Sequence, residues 1–341
     1  MRTEDNLSGM KQRVSIIGDG GMATVCAIML AENGCAVRLW SAFADAADEL
    51  ARTRENRRFL PGVELPKEVE VTGDDALAFA QADLAVSAVP TQFMRSVWQR
   101  LAGSCPRGLP ICSVAKGIEN GTLLRPTQII LDVLKGARPI AALSGPSIAP
   151  EVARRQPATV VAASQDEALA RRVQELFTRP YFRVYTNTDL LGVEIAAATK
   201  NVIAIAAGIL DGLQAGSNAK AALLTRGLVE ITRLGAAMGA KAETFAGLAG
   251  MGDLVTTCIS PVGRNRSFGE AVGRGATVRD ALAATNCVVE GVATTASVME
   301  LAEKFGVEMP ITEAVHNVLF AGKKPDEAIA SLMSRPPKAE T

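Results

Sequence analysis

Short, continuously apolar runs alternate with segments of helical period through the first half of the chain, and this alternation constrains the fold more than any other feature. Continuous apolarity is typical of strands buried on both faces, and helices between such strands imply parallel pairing. The pattern therefore predicts a doubly wound, parallel α/β sheet. The runs are residues 14–17, 37–39, 69–71, 84–87, 111–114 and 141–143, and residues 159–163 and 182–185 are expected to extend the sheet.

The first apolar run leads directly into a glycine-rich turn of the pattern GxGxxA, which is followed by an apolar helix. Gly18 permits a tight turn, Gly20 lets a pyrophosphate approach the backbone, and the small Ala23 allows close packing of the helix on the strand. In this strand-turn-helix setting the turn predicts a dinucleotide site. The alternative is a tight βα turn without a ligand.

Alanine-rich segments of helical period replace this pattern after Asp189, and no convincing strand pattern follows them. A chain of 341 residues also suits two domains better than one. We therefore expect an α/β, Rossmann-like N-terminal domain and an all-α C-terminal domain with main helices at 190–208, 219–238, 278–283 and 294–305. The expected divisions are a flexible tail at 1–11, a dinucleotide-binding domain at 12–188, a helical substrate domain at 189–334 and a polar tail at 335–341.

Charge and composition limit the partners that the protein could have. The 36 basic and 36 acidic residues balance, so no overall field favours nucleic acid or an anionic membrane. We expect no secretory signal and no integral membrane segment, because the N-terminus lacks an apolar core and the most apolar stretch, 195–210, carries Lys200 and Asn201. Six scattered cysteines without a CxxC pair favour a soluble protein of the cytoplasm. The single histidine, His316, excludes a histidine-based metal site, and no metal is expected.

The residues after the second apolar run leave the choice of cofactor open. An acidic residue at that position would bind the ribose of NAD, and an arginine would favour the phosphate of NADP. Residues 39–42 contain neither. The arginines that follow are more typical of a solvated helix face; they are Arg52, Arg54, Arg57 and Arg58.

Two lysines are the best candidates for proton transfer, because a hydride transfer to a carbonyl needs a proton donor and no usable histidine is present. Lys200 lies in an apolar helix, where loss of solvent lowers the pKa of an amine. Alternatively, it extends from the helix to solvent or pairs with Glu194 or Asp253. Lys116 follows the fifth apolar run, at a strand end that suits a ligand, although an exposed loop lysine is equally compatible. Asn201 could orient a substrate.

Three downstream segments carry further candidates. Residues 247–254 are rich in glycine without a preceding strand, which indicates a close backbone bend that holds Asp253 or a helix that Asp253 caps. Residues 263–266 form a predicted loop with a guanidinium and an amide suited to a phosphate, or else a solvated basic turn. Glu290 fits a surface carboxylate better than a cofactor ligand.

Taken together, the motifs resemble those of one family, the bacterial NAD(P)-dependent glycerol-3-phosphate dehydrogenases. The resemblance covers nearly the whole chain in the family's order, and KNVIAI, GMGDL and RNR are its most specific segments. The matching segments include IIGDGGMAT, NRRFLPGVELP, AVPTQ, VAKGIENGT, LSGPSIAPEVA, EIAAATKNVIAIAAGILDGL, GLAGMGDLVTTC, GRNRSFG, VVEGVATT and KFGVEMPIT.

This resemblance implies a reversible hydride transfer between sn-glycerol 3-phosphate and dihydroxyacetone phosphate, with NAD or NADP as cofactor, in an enzyme that feeds glycerophospholipid synthesis and forms a homodimer. It implies that Lys200 is the general acid/base and that Lys116 contacts cofactor and substrate. The substrate-binding residues that it implies are Lys116, Gly145, Ser147, Lys200, Asp253, Gly263, Arg264 and Asn265, and the position beside Lys200 adds Asn201. Those implied around the cofactor are Gly21, Met22, Lys116, Ala149, Arg264, Val288 and Glu290, in addition to Gly18, Gly20 and Ala23 of the GxGxxA turn.

The chain departs from the family pattern at four positions. Ala23 replaces the third glycine, and Ala42 stands where a basic residue or histidine is frequent, which weakens any contact with the phosphate of NADP. Gly263 removes a hydroxyl from the substrate segment, and Ile148 replaces a phenylalanine. Two alternative functions are another two-domain, NAD(P)-linked hydroxyacid-type dehydrogenase and a nonenzymatic NAD(P)-sensing protein.

Overall fold

A computed structural model describes residues 11–285, 288–337 and 339. Its N-terminal part is an eight-stranded sheet with the strand order β3-β2-β1-β4-β5-β6-β7-β8. Each predicted apolar run overlaps one of these strands, so the expected sheet is confirmed. The strands are β1 Arg13–Ile17, β2 Ala36–Trp40, β3 Glu70–Thr72, β4 Leu84–Ser87, β5 Ile111–Ser113, β6 Ile140–Ser144, β7 Ala158–Ala163 and β8 Phe182–Asn187.

The strands from β1 to β6 pair in parallel, whereas β7 joins β6 antiparallel and then pairs in parallel with β8. The sheet is therefore mainly parallel, with two reversed strands at one edge. The connection from β6 to β7 explains the reversal. It contains one helix, α5 Ala149–Ala153, whose five residues rise only about 7.5 Å and cannot return the chain along a strand.

Helices cover both faces of the sheet, as the continuous apolarity of its strands predicts. Ile16 faces the cluster that includes α1 and α6, and the adjacent Ile17 faces the cluster that includes α3 and α4. Both isoleucines are fully buried. The helices of this part are α1 Gly21–Glu32, α2 Ala44–Thr53, α3 Thr91–Leu101, α4 Pro126–Leu134, α5 Ala149–Ala153 and α6 Glu167–Phe177.

From Leu190 onward the described residues form helices, which confirms the expected all-α second part. Its axis is α7 Leu190–Gly212, and the other helices are α8 Gly216–Ala237, α9 Ala242–Ala246, α10 Asp253–Ile259, α11 Arg264–Gly273, α12 Val278–Ala283, α13 Glu290–Phe305, α14 Pro310–Phe320 and α15 Pro325–Met333. A π-helical segment, Leu248–Gly252, precedes α10. Helix α7 is long and apolar enough to cross a membrane, but 94% of its apolar window is buried inside the protein. It is the core of the helical part.

Glycines bring α7 and α11 into backbone contact. A Cβ at Gly208 would lie 2.0 Å from the Arg266 carbonyl oxygen, and a Cβ at Gly269 would lie 2.1 Å from the Ile205 carbonyl oxygen. No side chain larger than hydrogen fits at either position without a shift of one helix. This contact fixes the start of α11 beside the middle of α7, where Lys200 lies.

The predicted terminal tails lie partly outside the described residues. Residues 1–10, 338 and 340–341 lie outside the described residues, as do residues 286 and 287 before α13. The flexible tail expected at 1–11 and the polar tail expected at 335–341 therefore stay predictions.

Candidate active site

The glycine-rich turn between β1 and α1 has the shape that a dinucleotide requires. Gly18 adopts a φ of +115°, and a Cβ there would lie 2.9 Å from the Ala88 carbonyl oxygen. A Cβ at Gly20 would meet no described atom within 4 Å, so the backbone is open to a ligand at this point. Within the described residues, no side chain caps the first turn of α1, and that turn has no acidic residue. Its N–H groups are therefore available to a pyrophosphate.

The residues around this turn match the expected cofactor set. Ala23 is fully buried against the sheet, as the GxGxxA pattern predicts, and Met22 packs against the same core. A Cβ at Gly21 would lie 3.8 Å from the Ala149 Cβ, which places the start of α5 beside the start of α1. The structure thus brings Gly18, Gly20, Gly21, Met22, Ala23 and Ala149 together, and they fit a dinucleotide.

Lys116 follows β5 at the carboxyl edge of the sheet and points toward the helical part. Its Nζ donates to the Gly145 carbonyl oxygen at 3.0 Å and to Asp253 Oδ2 at 2.6 Å. The side chain is 18% exposed, so the alternative of an exposed loop lysine is wrong. Gly145, at a φ of +137°, also accepts a hydrogen bond from Ser147 Oγ at 3.0 Å.

Lys200 lies on α7 and is 5% exposed, so it does not extend to solvent. Its Nζ contacts Asp253 Oδ1 at 2.5 Å and Thr257 Oγ1 at 2.5 Å. Burial, helped by the positive charge of Lys116 and opposed by the charge of Asp253, lowers the pKa of Lys200 to about 8. An amine with this pKa can both give and take a proton near neutral pH. Of the two carboxylates considered as partners, Asp253 pairs with Lys200, whereas Glu194 pairs with Arg125.

Glu194 instead lies on the far side of α7, where its carboxylate accepts hydrogen bonds from the Thr127 N–H and hydroxyl at 2.9 and 2.7 Å and pairs with Arg125. It is six residues before Lys200 and so on a different face of the helix.

Asp253 forms ion pairs with both lysines, with Lys116 of the sheet part and with Lys200 of the helical part. Burial alone would raise the pKa of this carboxyl, but the charges and hydrogen bonds of Lys116 and Lys200 bring it below its usual value. Asp253 is the first residue of α10, and its side chain bonds the lysines rather than capping a helix. Two ammonium groups around one carboxylate leave a net positive charge, which suits an anionic substrate or a developing oxyanion.

The segment with the expected phosphate ligands is the first turn of α11, so the prediction of a loop at residues 263–266 is wrong. The close glycine contacts with α7 hold this segment as a helix that Gly263 precedes and Arg264 begins. Within the described residues, no side chain caps this N-terminus and no acid lies in its first turn. Its uncapped N–H groups and the exposed Arg264 together suit an anion.

Asn265 and Arg266 have different environments on this helix. Asn265 is buried, donates to Asn201 Oδ1 at 2.9 Å and accepts the Gly291 N–H at 2.9 Å. Arg266 contacts Asp211 at 2.6 Å and Glu270 at 3.4 Å. The side-chain amides of Asn201 and Asn265 therefore connect α7, α11 and α13, whereas the Arg266 guanidinium forms ion pairs with two carboxylates.

Glu290 begins α13 and is not a surface carboxylate, so that prediction is wrong. It accepts the N–H of Thr91 at 3.2 Å, and its Oε2 is buried without a hydrogen-bond partner in the described part of the chain. Burial raises its pKa to about 7, opposed by the Thr91 N–H and by the charge of Arg264. A Cβ at Gly117 would lie 2.7 Å from Glu290 Oε2, so this approach depends on a glycine. Val288, just before α13, is 36% exposed.

Sequence reasoning missed three residues of this arrangement: Thr257, Thr91 and Gly117. Thr257 had a signal, because it follows Asp253 by one helical turn and so shares its face. Thr91 and Gly117 lie where the fourth and fifth predicted strands end, at the edge of the sheet that binds ligands, but no local pattern predicts their contact with Glu290.

Two family models match the chain on either side of its expected division. Residues 13–170 match the model described as the NAD-dependent glycerol-3-phosphate dehydrogenase N-terminus, and residues 189–330 match the model described as its C-terminus. The chain belongs to this dehydrogenase family. A relative from Prosthecochloris aestuarii, named glycerol-3-phosphate dehydrogenase [NAD(P)+], is 50% identical over 329 residues, covering 96% of this chain and 99% of that protein.

Two further family members support the assignment. A glycerol-3-phosphate dehydrogenase [NAD(P)+] from Geobacter sp. strain M21 is 49% identical and covers 97% of this chain and 99% of that protein. The crystal structure of glycerol-3-phosphate dehydrogenase from Coxiella burnetii superposes with a TM-score of 0.92 at 38% identity and covers 95% of this chain and 99% of that one. These matches confirm the family resemblance of the motifs and favour neither alternative function.

Proposed function

We propose that the protein catalyses reversible hydride transfer between NAD(P) and the carbon-2 position of sn-glycerol 3-phosphate or dihydroxyacetone phosphate, and so feeds glycerophospholipid synthesis. One observation carries the proposal: Lys200 and Lys116 share the buried carboxylate of Asp253 at the carboxyl edge of the sheet. Open α/β sheets bind their ligands at this edge. The family relatives, named glycerol-3-phosphate dehydrogenase [NAD(P)+], support the choice of substrate and cofactor.

Lys200 is the general acid/base of this proposal. The nicotinamide, when bound, supplies or accepts the hydride. Lys200 Nζ gives its proton to the oxygen on carbon 2 during reduction and takes it back during oxidation. A pKa of about 8 places the amine near the optimum for both directions. The Thr257 hydroxyl and Asp253 hold Nζ in place.

Lys116 is the second catalytic group, and it stabilises negative charge on the same oxygen. Its hydrogen bonds to Gly145 and Asp253 fix the position of the ammonium group. Asn201 and Ser147 border this region and complete the substrate contacts that we propose.

The phosphate of the substrate binds at the start of α11 in this proposal. After Gly263, which precedes the helix, Arg264 and Asn265 offer backbone N–H groups and a guanidinium, with the side-chain amide of Asn265 holding the turn in place. Binding at this remote end positions carbon 2 beside the two lysines. Arg264 also acts on Glu290, so we assign both residues, with Val288, to the border of the cofactor.

The domain division, assembly and location belong to the same proposal. We assign residues 12–188 to the dinucleotide-binding domain and 189–334 to the substrate domain, because β8 ends at Asn187 and α7 begins at Leu190. We further propose a homodimer in the cytoplasm. The free thiols of Cys26, Cys35, Cys105, Cys112 and Cys258 support a reducing compartment, and light scattering on the purified protein tests the dimer.

Lys200→Ala tests the chemical assignment. We expect oxidation of NADH or NADPH with dihydroxyacetone phosphate to fall at least about a thousandfold, because the variant lacks the proton donor. Nucleotide binding, followed by fluorescence titration, should stay within about threefold of the wild type because the glycine-rich turn is unchanged.

Lys304→Ala is the matched control, since Lys304 is an exposed lysine near the end of α13. It should keep wild-type turnover. Full activity of Lys200→Ala would refute the role of Lys200, and absence of turnover in the wild-type protein with either cofactor would refute the proposed function.

A further inference from the structure

A carboxylate lies beside the end of β2, although residues 41–44, which directly follow this strand, include no acid. Ser41 comes directly after β2 and is fully buried. Its Oγ donates to Asp19 Oδ2 at 2.6 Å and accepts the N–H of Phe43 at 3.2 Å. Asp19 belongs to the glycine-rich turn, between Gly18 and Gly20. The turn after β1 thus provides a carboxylate at the exit of β2.

Asp19 is also held through its main chain. The Asn56 side-chain amide donates to the Asp19 carbonyl oxygen at 2.6 Å and to Thr24 Oγ1 at 2.8 Å. Asn56 is buried and comes from the segment that passes over the start of α1. Contacts at both its carbonyl and its carboxylate give Asp19 a defined position.

This position matters because, in such folds, the side chains at the end of the second strand determine whether NAD or NADP binds. A carboxylate there hydrogen-bonds the ribose hydroxyl of NAD, whereas the 2′-phosphate of NADP needs an arginine. We propose that Asp19, positioned by Ser41, replaces the missing acid of β2 and makes the protein select NAD(H) over NADP(H). The inference deepens the proposed function and rests on it for the identity of the cofactor.

Three of the arginines near this end of the sheet are engaged elsewhere, and a fourth, Arg58, is exposed and lies over the Phe59 ring at 4.9 Å. Arg54 donates to the Val69 carbonyl oxygen at 2.8 Å and also contacts that of Pro66. Arg100 binds Asp75 through two nitrogens and donates to the Ala42 carbonyl oxygen at 2.7 Å. Arg57 pairs with Glu55 at 3.1 Å. These guanidinium groups already have acceptors, so a 2′-phosphate would have to compete for them while facing the charge of Asp19.

The test compares dissociation constants of the intact protein for NADH and NADPH by fluorescence titration, without a triose phosphate. We expect the wild type to bind NADH at least about tenfold more tightly, because a carboxylate and a phosphate repel each other at close range. Asp19→Asn keeps the shape of the side chain but removes its charge. It should reduce the ratio of the two constants about tenfold, mainly by tighter binding of NADPH.

Two further variants sharpen the comparison. Ser41→Ala releases the Asp19 carboxylate and should lower the ratio in the same direction. Asp326→Asn, on the exposed first turn of α15, makes the same change in net charge far from the turn and should leave the ratio unchanged. ADP-ribose and 2′-phospho-ADP-ribose should show the same selectivity, since the proposed discrimination does not involve the nicotinamide.

Equal wild-type affinity for NADH and NADPH would overturn the inference, and so would an unchanged ratio in both Asp19→Asn and Ser41→Ala. The outcome is independent of turnover. A shifted binding ratio in a protein that does not reduce dihydroxyacetone phosphate would support the inference and refute the proposed function. Turnover of dihydroxyacetone phosphate with an unchanged binding ratio would support the proposed function and refute the inference.

Discussion

At the scale of single residues, the site depends on how burial and charge oppose each other at one amine. Burial favours the neutral form of Lys200, while Asp253 favours the charged form. The balance leaves the pKa at about 8, well below the usual value for lysine. A proton donor with this pKa is charged at neutral pH and loses its proton in mildly alkaline solution.

The two reaction directions should therefore respond oppositely to pH. Reduction of dihydroxyacetone phosphate needs the protonated amine, so its kcat/KM should fall about tenfold per pH unit above pH ~8. Oxidation of glycerol 3-phosphate needs the neutral amine, so its kcat/KM should rise through the same pH and then level off. Initial rates measured in both directions between roughly pH 6 and pH 10 check this expectation.

Glu290 provides the control for this profile, because burial raises its pKa to about 7. Glu290→Gln removes that titration and should leave the inflection near pH 8 in place. An inflection that moves or disappears with Glu290→Gln would show that the amine of Lys200 does not cause it.

At the scale of helices, the glycine contacts between α7 and α11 decide where the phosphate-binding turn lies. Gly208→Ala would place a Cβ 2.0 Å from the Arg266 carbonyl oxygen, so α11 must move away from α7. We expect a loss of about 1–3 kcal/mol in the free energy of unfolding, which is typical of overpacking. The KM for dihydroxyacetone phosphate should rise more than the Kd for NADH, because Asn265 and Arg264 move while the glycine-rich turn of α1 does not.

Gly103→Ala is the matched control, since no described atom lies within 4 Å of a Cβ at that exposed position. It should change neither stability nor KM beyond experimental error. Equal effects of the two variants would contradict the role assigned to the helix contact.

At the scale of the whole molecule, the site exists only where the sheet and the helical part meet. Glu194 on α7 strengthens this junction by pairing with Arg125 and accepting two hydrogen bonds from Thr127. Removal of one partner of a buried ion pair leaves the other charge without compensation. Glu194→Ala should therefore lower the free energy of unfolding by about 3–5 kcal/mol, measured by urea denaturation.

An exposed ion pair serves as the comparison. Asp132 is 52% exposed and pairs with Arg95, so Asp132→Ala should cost less than about 1 kcal/mol. A Glu194→Ala variant as stable as Asp132→Ala would show that the junction does not depend on the buried pair.

The amino-acid sequence determined the elements and the main catalytic candidates. Strand positions followed from continuous apolar runs, the dinucleotide turn from GxGxxA, and Lys200 from a charge inside an apolar helix, because each signal lies within one short segment. The antiparallel placement of β7 had no such signal. It depends on the short α5, whose length becomes apparent only in the folded chain.

Only the tertiary structure decided which side chains form ion pairs or hydrogen bonds with one another. Lys116, Lys200 and Asp253 lie on separate elements and meet because α7 and α10 pack against the carboxyl edge of the sheet. The sequence around Glu290 is typical of a surface carboxylate, but in the folded protein packing buries its Oε2 beside Thr91 and Gly117. Local sequence encodes which face of a helix or strand is apolar, whereas pKa values depend on neighbours and burial, which only packing creates.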